Sequence, residues 1–376
     1  MLSRRGFLIG CSAAASPFVT RVSLAAAPWD ARLVVIVLRG AMDGLDVVRP
    51  YADPGYAAAR GALGEGGSDL DGFFALHPGL DPLMPLWRAG ELGFVHAVST
   101  PYRNKRSHFD GQDLLEAGGE AVGQVRDGWL NRLLAQLPGA EPRTAFAIGH
   151  GEMKILGGPQ PVADWSPEVD LALSPQAMRL AERVMMDDPA FHAAFAEAAM
   201  LGGGGMALEK GAAHLDVARF AADQLKGDTR IAAFSINGWD THGRQAKTIV
   251  PALERLSGTL LALKEGVGAA VWAKTAVIAM TEFGRTVQVN GTGGTDHGTG
   301  GAMLLAGGAI AGGRVYGQWP GLDEASLLDR RDLMPTGDVR AAAAWILRGL
   351  GGFDKGLLEQ VVFPGLEMGA DHGLLR

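Results

Sequence analysis

The sequence predicts an α/β fold: a doubly wound, mostly parallel sheet with helices on both faces. Two observations carry this expectation. Five apolar, β-branched-rich runs stand out, and helix-like patterns separate them. Runs that are apolar throughout, rather than alternating, mark strands covered on both sides.

The first run spans 33–38 and the second 92–98. After the second, Ser107 with Asp110 three positions on is the signature of a helix N-cap. The third run is 144–148. The stretch 157–205, rich in Pro, Met and Ala, reads as a helical insertion with a flexible Gly202-Gly203-Gly204-Gly205 exit. The fourth run is 231–236. Residues 244–263 carry apolar side chains at helical spacing, with Pro251 as the expected kink, and should cover one sheet face. The fifth run is 275–280. A last good helix is expected over 338–350, inside a C-terminal extension of about 315–376 with a Gly-rich, irregular tail. Residues 28–376 thus read as one α/β domain.

Lys plus Arg number 34 against 41 Asp plus Glu, a net charge of −7. No basic excess is available to neutralise a phosphate backbone, which argues against a nucleic-acid partner. The single cysteine, Cys11, excludes a disulfide framework and a thiolate metal site. Gly is in surplus, 55 residues without period, and many of them sit beside Asp and His in loops.

Residues 1–27 contain Arg4-Arg5, a weakly apolar Ala-rich run, Arg21 and no acid. This resembles a twin-arginine export signal, implying the twin-arginine translocase as a transient partner and a periplasmic or secreted destination. No later segment is long and apolar enough to predict a stable transmembrane segment. Leu8-Ile9-Gly10-Cys11 looks like a lipoprotein box, with too few apolar residues before it for a full hydrophobic region.

In a parallel sheet, ligands bind beyond the carboxyl ends of the strands. The residues following the runs are Asp43, Ser99 to Asp113, Gly149-His150-Gly151, Asp240-Thr241-His242 and Glu282 to Thr286, joined by Asp296-His297 in a Gly-rich loop. Carboxylates crowded at one edge repel unless a cation lies among them. Asp43, Asp240, His242, Glu282, Asp296 and His297 are therefore candidate ligands for a divalent metal ion (Zn, Mn, Mg or Ca), although the same residue types serve as turn caps. Ser107 is a candidate nucleophile at a helix start, or simply a cap. Arg103, Lys105, Arg106 and Arg285 are candidates to grip an oxyanion, or belong to a solvated face. Ser99-Thr100-Pro101-Tyr102-Arg103 fits the short Ser-x-Pro-x-Arg pattern that sulfatases convert to formylglycine. His77, His96, His192 and His214 lack clustered partners and read as structural; His372 is left unassigned.

Taken together, Leu38-Arg39-Gly40, Asp43-Gly44-Leu45-Asp46, Arg106-Ser107-His108-Phe109-Asp110, Gly238-Trp239-Asp240-Thr241-His242, Thr281-Glu282-Phe283-Gly284-Arg285-Thr286 and Gly294-Thr295-Asp296-His297-Gly298 resemble an exported bacterial family, domain of unknown function 1501. That family is distantly similar to the alkaline phosphatase and sulfatase superfamily. The resemblance implies a metal-assisted hydrolase ancestry, with Asp43 as first-strand ligand, Ser107 or Ser99 as nucleophile, Asp240 and His242 as a ligand pair, Glu282 next and His297 late. Two departures make a single or an altered metal easier to build than a complete two-metal site: Glu282-Phe283 stands where the superfamily often has an Asp-His pair, and the Asp240 to His242 spacing is short. The expected function is hydrolysis of phosphate or sulfate esters, on an anionic small molecule or an envelope polymer. The alternative is a non-catalytic envelope or secretion-associated binding protein on the same fold.

Overall fold

The computed structural model describes residues 29–103, 106–149, 153–166 and 213–376. The expected export signal with Cys11, Lys105, His150, His192 and most of the expected insertion lie outside the described residues.

All five apolar runs are strands: β1 (Arg32–Arg39), β5 (Leu92–Ser99), β6 (Ala145–Ile148), β8 (Ile231–Asn237) and β9 (Thr275–Met280). They join β7 (Ala163–Trp165), β10 (Gly301–Ala306), β11 (Val315–Tyr316) and β12 (Gly337–Asp338) in one nine-stranded sheet ordered β11-β5-β10-β9-β1-β8-β6-β7, with β12 beside β5. Strands β2 (Val48–Arg49), β3 (Ser68–Asp69) and β4 (Ala75–Leu76) form a separate small sheet.

Every pairing in the large sheet is parallel except those of β10, which runs antiparallel to both β5 and β9. Residues 33–38, all of β9 and all of β10 are buried. Since successive side chains point to opposite faces, both faces of the sheet centre are covered, as expected. The short β7, β11 and β12 were not anticipated. Two of them come from the C-terminal extension, which is thereby built into the main sheet.

Four helices are needed below: α1 (His108–Ala117), α2 (Ala213–Lys226), α3 (Val250–Trp272) and α4 (Val339–Gly351). Pro251 does not kink α3. It sits in the first turn, where its missing N–H has no intrahelical partner to lose. The interruption falls instead at Gly268, with φ 75°. The last helix begins as read, with the Asp338 carboxylate accepting from the Arg340 N–H at 2.8 Å.

The direction of β10 matters for function. Its start lies at the same sheet edge as the ends of β1, β5, β8 and β9, so the loop before it, 293–300, reaches that edge too.

His96 on β5 is structural, as read. Its Nδ1 accepts from the Ala97 N–H at 2.8 Å, which leaves Nε2–H to donate to the Val48 carbonyl at 3.0 Å. Burial pushes its pKa down to about 4, against the raising influence of the Val48 carbonyl. The folded state therefore holds this ring neutral, while the unfolded chain takes up a proton near pH 6.5. Stability is fully present above that pH and lost as pH falls towards 4, by about 3 kcal/mol at most. Urea unfolding between pH 7.5 and 4.5 should show the wild type losing this much more than His96→Gln; equal losses would exclude the effect.

Candidate functional site

Imidazoles and carboxylates from four loops converge at the carboxyl edge of the sheet. His108 opens α1, directly after the N-cap Ser107. Asp240 and His242 follow β8, Glu282 follows β9, and Asp296 and His297 precede β10.

Asp240 Oδ1 is the centre of the group. It lies 3.3 Å from His108 Nε2, 3.0 Å from His242 Nε2 and 3.2 Å from His297 Nε2. His242 Nε2 and His297 Nε2 are 2.9 Å apart. His108, Asp240 and His297 have the mutual spacing of ligands to one metal ion.

The other nitrogen of each ring faces an acceptor. His108 Nδ1 is 2.7 Å from Glu282 Oε1, His297 Nδ1 is 2.8 Å from the Arg106 carbonyl, and His242 Nδ1 is 3.2 Å from Asp296 Oδ1. An acceptor holds a proton on Nδ1 and leaves the Nε2 lone pair of a neutral ring pointing inward. Three such lone pairs and a carboxylate oxygen then face one another. That arrangement is repulsive where no proton or cation lies between the atoms, and Arg285 relieves only part of it, donating to Asp240 Oδ1 at 2.7 Å and facing His242 Nε2 at 3.4 Å. His108 Nε2 is buried with no hydrogen-bond partner among the described residues. The donor set thus fits a divalent ion, with the outer carboxylates and the carbonyl orienting each imidazole.

Glu282 is fully buried but not a direct member of this group. Its Oε1 accepts from the Gly40 N–H at 3.0 Å, from Gln112 at 3.0 Å and from His108, and its Oε2 from Thr281 at 2.9 Å. Burial pushes its pKa up, yet these donors, His108 first, hold it below the usual carboxylate range. The same hydrogen bond raises the pKa of His108 against the effect of burial. Burial likewise works against the charge on Asp240, but the hydrogen bond and charge of Arg285, with the contributions of His297 and His108, together outweigh it and bring the pKa down to about 2.

The expectation that Arg285 grips a ligand is corrected by its contacts. The side chain is fully buried, and every nitrogen is engaged. Nε donates to the Ala41 carbonyl; Nη1 donates to the Thr295 carbonyl and faces His242 Nε2; Nη2 donates to the carbonyls of Gly40 and Trp239 and to Asp240 Oδ1. Arg285 ties the loops after β1 and β8 to the loop before β10 and has no fork left for an oxyanion.

Asp43 belongs to another neighbourhood. Fully buried, it caps the helical turn Gly44–Val47 and is met by Arg60 at 2.5 Å and 3.0 Å, by Gln245 at 2.8 Å and by Thr295 at 3.2 Å. A guanidinium already matches its charge. Ser107 is half-buried and accepts the Asp110 N–H at a long 3.4 Å. Ser99 is buried; its hydroxyl donates to the Thr100 carbonyl at 2.6 Å and accepts from Arg103 at 2.9 Å, so it is not free to attack.

Sequence reasoning missed His108 as a site residue. The signal was present, since a histidine directly after an N-cap opens its helix at the edge where ligands collect. Phe283, noted as a departure, stacks on His108 with centroids 5.3 Å apart and lies 5.1 Å from His297, so it floors the cluster. Two glycines let the loops interlock. Gly40 has φ 118°, and a Cβ there would lie 2.6 Å from the Asp240 nitrogen; a Cβ on Gly284 would lie 1.9 Å from the Gly300 carbonyl oxygen.

Among solved structures, the chain is similar to the lipoteichoic acid synthase LtaP from Listeria monocytogenes, at 10% identity and TM-score 0.40, covering 89% of this chain and 75% of that one. It is similar to a protein in the alkaline phosphatase superfamily from Vibrio parahaemolyticus, at 12% identity and TM-score 0.39, covering 91% and 72%. It is also similar to the C-terminal periplasmic domain of EcEptC from Escherichia coli in complex with Zn, at 10% identity and TM-score 0.35, covering 74% and 73%. No curated protein matches the chain. Likeness this distant leaves the chemistry of the site to its own residues. The family match is direct: the profile described as "Protein of unknown function (DUF1501)" covers residues 97–343, about two thirds of the chain, and the chain belongs to that family.

Proposed function

We propose that the chain is an exported, metal-dependent hydrolase of phosphate or sulfate esters. The observation that carries this reading is the inward convergence of three imidazole Nε2 atoms on Asp240 Oδ1. His108, Asp240 and His297 would hold a divalent ion, with His242 beside them. Three nitrogens favour a transition ion such as Zn or Mn over Mg or Ca, which prefer oxygen ligands. Such an ion, when bound, supplies Lewis-acid stabilisation of the charge that develops on an ester oxygen.

The protein's own residues do the rest. Glu282 keeps the His108 proton on Nδ1, and Arg285 holds the Asp240 loop in place. The side chains of Asp240 and His242 are 46% and 45% exposed, so a substrate can reach the group. Ser107 precedes His108 at the first turn of α1, where unpaired N–H groups favour an anion, and is the hydroxyl assigned as nucleophile. Export follows from the Arg4-Arg5 signal, through the twin-arginine translocase. One observation favours a non-catalytic envelope-binding protein instead: Arg285 has no donor left for a transferred oxyanion.

The test is metal content and turnover together. Protein recovered from the periplasmic fraction without chelator should carry about one equivalent of a divalent ion. It should also hydrolyse aryl phosphates or aryl sulfates at rates lost in the Asp240→Ala, His242→Ala double variant. Metal well below one equivalent would overturn the centre; turnover no greater than in that variant would overturn the hydrolase.

A further inference from the structure

A second feature shares the loop that carries His108. Ser99 at the end of β5, with Thr100 and the exposed Arg103 just after it, faces Thr336, Gly337, Asp338 and Arg340 at the start of α4 across an open cavity of about 470 Å³. Its lining is polar, and its charges do not cancel.

Arg340 is compensated, because Nε and Nη2 fork onto the Asp338 carboxylate at 2.8–3.2 Å and Nη1 donates to the Gly119 carbonyl. Arg103 is not. One nitrogen, Nη1, is anchored on Ser99 Oγ at 2.9 Å, the Thr100 carbonyl at 2.5 Å and the Tyr102 carbonyl at 2.7 Å. No carboxylate of the described residues pairs with it, and the acid on the same wall, Asp338, is taken by Arg340. The cavity thus holds one net positive charge, on a guanidinium fixed at one nitrogen.

We propose that this cavity is an oxyanion subsite, with Arg103 binding a phosphate, sulfate or carboxylate group. Ser99 is then the residue that aims Arg103, which accounts for the Ser-x-Pro-x-Arg pattern without converting the serine. The loop is also tied to the metal-binding candidates: Thr100 Oγ1 donates to the Glu282 carbonyl at 3.1 Å, and His108 follows five residues after Arg103. Resting on the hydrolase reading, this makes the substrate a multiply charged ester, with its reacting group at Asp240 and a second oxyanion at Arg103. A guanidinium suits that role because it stays charged and offers paired donors.

The test uses tripolyphosphate and a sulfated disaccharide as probes, with inorganic phosphate and sulfate as single-anion controls. Calorimetric titration is carried out on the full chain and on its Asp240→Ala variant, in which turnover is disabled. Arg103→Gln should weaken binding of at least one multiply charged probe about 10-fold or more, as expected for a lost charge-assisted hydrogen bond. Arg103→Lys should retain part of the affinity, and each Arg103 variant should unfold at the same temperature as the protein it is made in. Preference for one probe identifies phosphate or sulfate as the recognised group. Equal affinity of the wild type and Arg103→Gln for both probes would overturn the subsite. Arg103-dependent binding with no turnover in any form would overturn the hydrolase reading alone.

Discussion

Replacing His108 by alanine is expected to weaken divalent-metal binding by at least about 100-fold, while the protein stays folded. His108 contributes one of the three nitrogens around Asp240, and a site left with fewer protein ligands is open to water. The ring is partly exposed and, among the described residues, its aromatic neighbours are Phe283 and His297, so little core is lost with it. Glu282→Gln should act through the same ring. The amide is nearly isosteric but does not compel the His108 proton onto Nδ1, and loss of such a carboxylate costs roughly 10–100-fold in metal affinity. Titration with Zn, and with Co for its visible spectrum, measures both. Wild-type affinity in His108→Ala would remove His108 from the site. An unchanged Co spectrum and affinity in Glu282→Gln would remove Glu282 from its positioning role.

The second large effect concerns stability rather than chemistry. Arg60→Met is expected to cost about 3–5 kcal/mol of unfolding free energy, because it leaves the Asp43 carboxylate buried without its counter-charge. Both side chains are fully buried, and Arg60 also donates to the Thr286 carbonyl at 3.0 Å, next to Arg285. Burial acts against the Asp43 charge, yet the Arg60 guanidinium holds its pKa below the ordinary value. Pairing Arg60→Met with Asp43→Asn should recover a substantial part of the loss, since no uncompensated charge then remains. Urea unfolding of the two variants checks this. A loss below about 1 kcal/mol in Arg60→Met would show that the pair contributes little.

How far the site was legible depended on which physical term places each residue. The five strands could be read because continuous apolar runs are a local record of burial on two faces. Strand β10 could not: Gly301-Ala302-Met303-Leu304-Leu305-Ala306 lacks β-branched residues and follows a glycine-rich loop, and its antiparallel direction is a property of pairing. Asp240 and His242 are legible as site candidates because they follow a strand, Asp296 and His297 because they lie in a glycine-rich loop, and the structure brings all four together at one edge. His108 was read only as part of a capped helix, since local sequence does not say which way a first-turn imidazole points.

Residue type and position along the chain determined the class of fold, the edge where polar side chains collect, and the kinds of ligand atom available there. Tertiary structure decided the roles among residues of like chemistry. Asp43 and Asp240 are both aspartates after parallel strands and each meets a buried guanidinium, Arg60 or Arg285, but Asp240 also faces three imidazoles. Arg103 and Arg285 are both arginines in the loops at this edge, but among the described residues one has donors without a partner and the other has every donor taken. Those differences follow from which loops pack side by side, and that is settled by strand order and direction, which no single segment of the sequence carries.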